Sequence, residues 1–158
     1  IRMLAIDDLA KRIQPFFEAE GYHADLDTLM KITPIIQERI AGLDEAPKIA
    51  GFFFEKEVHP TLEDLVQKGL TASQCADIAA KSYEILSALP VIDKDHGEAE
   101  MRELVESLEL KPGQVFGVLR VAVTGQKVSP PLFESMEIIG HEVVLDRIKK
   151  AEEMLRKA

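Results

Sequence analysis

The stretch "FGVLRVAVTGQKVSPPLF", Phe116–Phe133, decides how the chain is interpreted. Its first half is apolar except for Arg120, and such a run fits either a buried helix or a buried strand. An unpaired buried charge costs several kcal/mol, so Arg120 must reach solvent, a carboxylate or a ligand. Gly125 predicts the end of this element. Ser129 predicts the cap of the next helix, with Pro130 at its first helical position.

No partner strand is visible elsewhere, and apolar residues recur at helical spacing along the chain. The sequence therefore predicts an all-α array of eight or nine helices with short connections. We expect Asp7 or Asp8 to cap a first helix that Pro15 kinks or splits, and Asp25 to begin a second that closes at Gly42. Further helices are predicted from a Thr61 and Asp64 capping box, over Thr71–Leu89, and in four later segments up to the C-terminus.

Charge is distributed unevenly. The 158 residues carry a net charge of −9, which argues against a polyanionic partner. Residues 110–133 nevertheless contain Lys111, Arg120 and Lys127 and no acidic residue, so this window is locally basic. It is either a chance feature of a core segment or the place where an anionic partner binds.

The remaining composition restricts location and chemistry. A single cysteine, Cys75, excludes an intramolecular disulfide and fits a buried thiol in a reducing compartment. No run is long enough to cross a bilayer and no signal-peptide pattern opens the chain, so we expect a cytoplasmic protein without a membrane role. The chain begins with Ile1 rather than methionine, which predicts a piece of a longer polypeptide.

Residues that could support catalysis are scattered. The four histidines lack second ligands at metal spacing, and His96 in "DKDHGEAE" fits a polar loop before a capped helix better than a site. Lys127 and Ser129 are two residues apart, but no oxyanion hole or base geometry accompanies them. We therefore expect no catalytic residue and no metal site in this chain.

A family resemblance is carried by "PGQVFGVLRVAVTGQKVSPPLFESMEIIGHEVVLDRIKKAEEML", Pro112–Leu155. This segment resembles the C-terminal end of bacterial glutamyl-tRNA synthetases, where L-R-x-A-x-T-G is followed by S-P-x-L-F and a helix that ends at glycine. "IRMLAIDDLAKRIQPFF", Ile1–Phe17, and "IIQERIAGLDEAPKIAGFFF", Ile35–Phe54, look like the earlier helices of that region. The resemblance covers essentially the whole chain.

The resemblance implies a helical cage that grips a tRNA anticodon loop. It implies two packed subdomains, residues 1–70 and 71–158, and a catalytic domain of the same polypeptide that uses ATP and Mg²⁺ to attach glutamate. The two adenylate-forming signatures of that domain have no counterpart here, so the fragment is expected to be inactive alone, to need no cofactor and to be monomeric. Glutamate tRNA is the implied partner, with glutamine tRNA as a second candidate.

By resemblance, the anticodon-binding residues fall on Arg120, Ser129, Pro130 and Leu132, with Arg39 as the nearest match to a further arginine. Unpaired bases are read by hydrogen bonds to their edges and by stacking, and a guanidinium suits both. Each residue also has a structural alternative: an ion pair for Arg120, an ordinary helix cap for Ser129 and Pro130, and an exposed helix position for Arg39. For the whole chain, the alternative function is a helical protein-protein interaction module.

Overall fold

The structure is a computed structural model and describes residues 5–158. Within that range it is all-α, with nine α-helices, two short 3-10 helices at Leu43–Glu45 and Gly51–Phe54, and no strand, which confirms the predicted fold class. The first four residues of the predicted first subdomain, Ile1 to Leu4, lie outside the described residues. The α-helices are α1 (Ile6–Ala19), α2 (Leu26–Ile36), α3 (Ala46–Ala50), α4 (Leu62–Leu65), α5 (Ala72–Ser87), α6 (Lys94–Leu108), α7 (Pro112–Thr124), α8 (Leu132–Ile139) and α9 (His141–Arg156).

Two hydrophobic cores organise these helices. The first lies among α1, α2 and α3 and is built around Leu9, Phe17 and Ile32. The second extends from Leu65 in α4 to Leu155 in α9 and joins α4 through α9. The division at residue 70 stays a prediction, and the chain around Leu65 packs with the second core.

Helix α8 connects the two cores. It contacts α2 on one side and α6 and α9 on the other. Phe133 and Met136 belong to the second core, whereas Ile138 packs against the first. Helix α8 therefore lies at the junction between the two halves of the molecule.

Arg147 of α9 ties the same junction from the inside. Its side chain is only 5% exposed. Its guanidinium donates hydrogen bonds to the carbonyl oxygens of Val123 (2.8 Å), Phe52 (3.2 Å) and Glu55 (2.9 Å). These acceptors come from α7 and from the segment that leaves the first core, so one cation joins three stretches of backbone. Burial lowers the pKa of Arg147.

Most predicted helix boundaries agree with the structure. Asp25 caps α2 by accepting from the Thr28 N–H at 2.9 Å, and Thr61 caps α4. Thr71 caps α5 in a reciprocal pair with Gln74. Asp93 caps α6 by accepting from the His96 N–H at 2.8 Å, so the capped helix is present, but His96 lies in its first turn and not in a loop before it as predicted.

Two boundary predictions in the first half were wrong. Neither Asp7 nor Asp8 caps α1, because the helix begins at Ile6. Both carboxylates lie in its first turn, where the helix dipole stabilises negative charge. Pro15 lies inside the continuous helix α1, so of its two predicted effects the split does not occur, and the kink stays a prediction.

The second helix also ends earlier than predicted, because α2 stops at Ile36 rather than at Gly42. The N–H groups of Ala41 and Gly42 are instead bound by Glu45 Oε2, each at 3.0 Å. Glu45 belongs to a separate 3-10 helix, Leu43–Glu45, so the N–H groups of Ala41 and Gly42 are bound to that helix and do not extend α2.

Replacing Arg147 tests the tie between the halves. In Arg147→Met the side-chain volume is largely kept but three carbonyl groups lose their donors, and each such loss costs about 1–3 kcal/mol. We expect the free energy of unfolding to fall by about 3 kcal/mol or more, measured by urea denaturation. Arg156→Met is the matched control on the same helix, because its ion pairs with Asp77 and Glu152 are at the surface. Equal stability of the two variants would contradict a structural role for Arg147.

Candidate nucleic-acid interface

Arg120 of α7 contacts Ser129, which lies in the segment between α7 and α8. Arg120 Nε donates to Ser129 Oγ at 3.0 Å, and Ser129 Oγ donates to the Pro130 carbonyl at 2.8 Å. Arg120 is half-buried, and Ser129 is buried at 6% exposure. These two hydrogen bonds involve one edge of the Arg120 guanidinium and hold its plane in place. Among residues 5–158, the two terminal nitrogens of Arg120 donate no side-chain hydrogen bond to a protein group.

The turn between these residues is itself fixed. Gly125 ends α7 with φ of 74°, a left-handed conformation that glycine adopts without strain, as the sequence predicted. Thr124 Oγ1 accepts from the Gln126 N–H at 3.1 Å. The Gln126 side-chain amide donates to the carbonyl oxygens of Ile49 (3.3 Å) and Val128 (3.0 Å). The turn is thus fastened to α3 in the first half.

Arg39 approaches Arg120 from the first half of the chain. It lies exposed in the turn that follows α2, where its N–H donates to the Ile36 carbonyl at 2.8 Å. Burial lowers the pKa of Arg120, and the positive charge of Arg39 lowers that pKa further. Among residues 5–158, no carboxylate forms an ion pair with either arginine. Arg39 therefore lies near enough to Arg120 for the two charges to repel each other, and the two residues come from different halves of the chain.

Two open grooves run beside this pair. The Arg120 groove, of about 360 Å³, lies between α6, α7 and the start of α8. The Arg39 groove, of about 580 Å³, lies between the end of α2 and the start of α8. Pro131 and Glu134 line both grooves, so the two are adjacent and α8 begins between them.

Aromatic and basic side chains line the Arg120 groove beyond the predicted residues. Phe116 lies one helical turn before Arg120 on α7 and packs edge-on against Phe133, with ring centroids 5.8 Å apart. The Arg102 guanidinium sits 5.7 Å from the centre of the Phe116 ring. Sequence reasoning missed Phe116 and Arg102. The spacing of four between Phe116 and Arg120 could have shown that they share a face, whereas Arg102 lies on another helix and no local pattern connects it to the site.

The structure brings Arg120, Ser129 and Arg39 together but corrects the local role of Ser129. Ser129 was predicted to cap α8 with Pro130 at the first helical position. The helix instead begins at Leu132 with Pro131 as its N-cap residue and without a side-chain cap. The Ser129 hydroxyl is occupied by Arg120 and by the Pro130 carbonyl, so it cannot reach the helix N–H groups.

Leu132 and Pro130 expose little of their surface to solvent. Leu132 is 5% exposed and belongs to the second core, and Pro130 is buried. Leu132 still borders the Arg120 groove, together with half-buried Phe116 and Pro131. The role of Leu132 in contacting a base stays a prediction, and the apolar surface near it is shared with Phe116 and Pro131.

Residues 5–158 hold no group of three or more histidine, cysteine or acidic side chains placed to bind a metal ion. Cys75 is buried, accepts a hydrogen bond from the Gln67 N–H at 3.4 Å, and has a pKa raised by burial. No helix in this range has the length and apolar character needed to span a bilayer.

A family model described as "Anticodon binding domain" matches residues 8–152. The chain belongs to the anticodon-binding domain family. The match includes Arg39, Arg120 and Ser129, so all three lie within the domain that the family defines.

Curated relatives of this anticodon-binding domain are longer proteins. Glutamate tRNA ligase of Dehalococcoides mccartyi is 40% identical over 156 residues, which cover 96% of this chain and 32% of the relative. Glutamate tRNA ligase of a Roseiflexus species is 38% identical over 157 residues, covering 96% of this chain and 31% of the relative. The domain therefore spans about a third of the length of the relatives it matches.

A solved structure shares the fold of the domain. The crystal structure of a glutamate tRNA ligase from Elizabethkingia meningosepticum, in complex with its amino acid, superposes with a TM-score of 0.79 at 20% identity. The superposition covers 98% of this chain and 30% of that one. At this identity the likeness establishes the arrangement of helices alone.

Removing the Ser129 hydroxyl tests its contact with Arg120. Ser129→Ala deletes the partly buried hydrogen bond from the charged Arg120 and also the bond to the Pro130 carbonyl, so we expect the free energy of unfolding to fall by roughly 1–2 kcal/mol with helicity unchanged. Urea denaturation followed by circular dichroism measures both quantities. Ser87→Ala is the control, because that hydroxyl is exposed and bonds only to the Glu84 carbonyl within its own helix. No difference between the variants would mean that the Arg120 contact adds nothing to stability.

Proposed function

We propose that this chain is the C-terminal anticodon-binding part of a glutamate tRNA ligase and that it holds the anticodon loop of glutamate tRNA. A catalytic domain elsewhere in the same polypeptide would attach glutamate, and ATP and Mg²⁺ would act there. Family membership and the names of the relatives support this proposal. The chain would act in the cytoplasm as one copy per tRNA.

The convergence of Arg39 and Arg120 is the observation that carries the proposal. Neither arginine forms an ion pair among residues 5–158, and two like charges close together raise the free energy of the empty site, so an anionic or electron-rich ligand lowers it. A nucleic acid offers both kinds of group, phosphate oxygens and the acceptor atoms of its bases. Each arginine comes from a different half, so a bound loop would contact both halves at once.

The lining of the Arg120 groove fits an unpaired nucleotide. Single-stranded RNA is recognised by stacking of splayed bases on aromatic or guanidinium planes and by hydrogen bonds to base edges. Phe116 and Arg102 provide such planes, and the terminal nitrogens of Arg120 provide donors. Pro130 and Pro131 stiffen the turn that orients Arg120, so little conformational entropy is lost on binding.

A helical protein-interaction module was the alternative from the sequence. Such a surface would have an exposed apolar face, whereas charged side chains of both signs border the grooves at this site: Lys94, Arg102, Arg120 and Arg39, with Glu98, Glu134 and Glu38. The match of the family model over residues 8–152 also favours the RNA-binding function.

Binding of RNA stem-loops by the 158-residue chain tests the proposal. We expect a labelled glutamate anticodon stem-loop to bind more tightly than a stem-loop of the same length with an unrelated anticodon, with affinity that falls as salt rises. Arg120→Ala should weaken binding roughly tenfold or more, because a base-reading arginine contributes about 1–3 kcal/mol. Fluorescence anisotropy titration measures these affinities.

The control variant is Arg156→Ala, which removes the same charge from an exposed position whose partners, Asp77 and Glu152, lie outside both grooves. It should bind the stem-loop almost as the parent chain does. Equal and weak binding of both stem-loops by the parent chain would contradict anticodon recognition. The absolute affinity should be modest, because the full ligase would add contacts through tethering.

A further inference from the structure

Among the acidic residues that border the site, Glu134 lines both grooves, whereas Glu98 lines only the Arg120 groove and Glu38 only the Arg39 groove. Glu134 is the third residue of α8. A carboxylate repels phosphates, so its presence between the two arginines restricts what can bind between them. The sequence analysis had not singled it out.

The usual structural role of such a residue is missing here. A glutamate at the third position of a helix commonly accepts a hydrogen bond from the backbone N–H of the N-cap residue. The N-cap residue of α8 is Pro131, which has no N–H. The helix dipole still favours a negative charge at this position, but a dipole does not require the carboxylate to face a groove.

The carboxylate is also not used by the neighbouring arginines. Among residues 5–158, Glu134 forms no ion pair and its side chain makes no hydrogen bond to a protein group, although Arg120 lines one of its grooves and Arg39 lines the other. Arg120 is held toward Ser129 by its Nε hydrogen bond. A cation and an anion therefore border the same groove while remaining apart, and a ligand with a donor beside an acceptor can contact both.

We propose that Glu134 is a specificity-determining residue that accepts a hydrogen bond from the exocyclic amino group of an unpaired cytosine whose acceptor atoms face Arg120. The inference rests on the proposed function, because it requires an RNA loop in the Arg120 groove. In this arrangement Glu134 binds the amino group of the base, and Arg120 binds its acceptor atoms.

The chemistry of the pyrimidines explains the choice of cytosine. Cytosine carries an amino donor at position 4, whereas uracil carries a carbonyl acceptor at the same place. Glutamate accepts from the amino group, but it would repel the uracil carbonyl and leave both oxygens without a donor. Glutamine has nearly the same shape, and its amide can turn to present either an acceptor or a donor.

The experiment compares the parent chain with Glu134→Gln on two sets of RNA. One set is the glutamate anticodon stem-loop, and the other replaces each loop cytosine in turn by uridine. We expect one replacement to weaken binding to the parent chain about tenfold. The same replacement should weaken binding to Glu134→Gln no more than about twofold, because the amide can pair with either base. Glu137→Gln, an exposed change on the same helix that lines neither groove, should behave as the parent.

The outcomes separate the two proposals. Loss of the cytosine preference only in Glu134→Gln supports the inference. An unchanged preference in Glu134→Gln, or no cytosine preference in the parent chain, overturns the role of Glu134 and leaves the anticodon-binding function intact. If the parent chain binds neither set of RNA, the proposed function fails and the inference fails with it. Melting curves of the variants verify that the fold is preserved.

Discussion

The fold depends on a buried cation that donates its hydrogen bonds to backbone carbonyls rather than to a carboxylate. Arg147 collects carbonyl oxygens from α7 and from the segment after α3, and it lies on α9. The pKa of Arg147 is lowered by burial, yet nearby Glu55 and Asp146 act in the opposite direction and favour its charged form. Without Arg147, the carbonyl oxygens of Phe52 and Glu55 would lose their hydrogen-bond donor from α9.

The candidate site follows from that junction. Helix α8 contacts α2 of the first half. The Gln126 side chain, in the turn before α8, donates a hydrogen bond to the Ile49 carbonyl of the same half. Ser129, in the same turn, then fixes the guanidinium of Arg120. The site is therefore a product of how the halves meet, and its two arginines converge because backbone contacts far from them are satisfied.

Local patterns predicted what local physics determines. The helix caps at Asp25 and Thr71 and the end of α7 at Gly125 were predictable because each depends on one residue and its immediate neighbours. The start of α8 was not, because Ser129 looks like a cap until a residue nine positions earlier is seen to occupy its hydroxyl. Arg147 resembled any basic residue of an amphipathic last helix, since its partners are more than ninety residues away for two of its three bonds.

The hydrogen bond from the Gln126 side chain to the Ile49 carbonyl has a consequence for exchanging segments between related proteins. A chimaera that takes residues up to α3 from one relative and the remainder from another would keep every helix and every side chain of the α7 and α8 surface. It would still need a backbone at the position of Ile49 placed to receive the Gln126 amide. A mismatch there would shift the Ser-Pro-Pro turn as a unit. Compatibility between halves is thus encoded in main-chain geometry, where sequence comparison sees no signal.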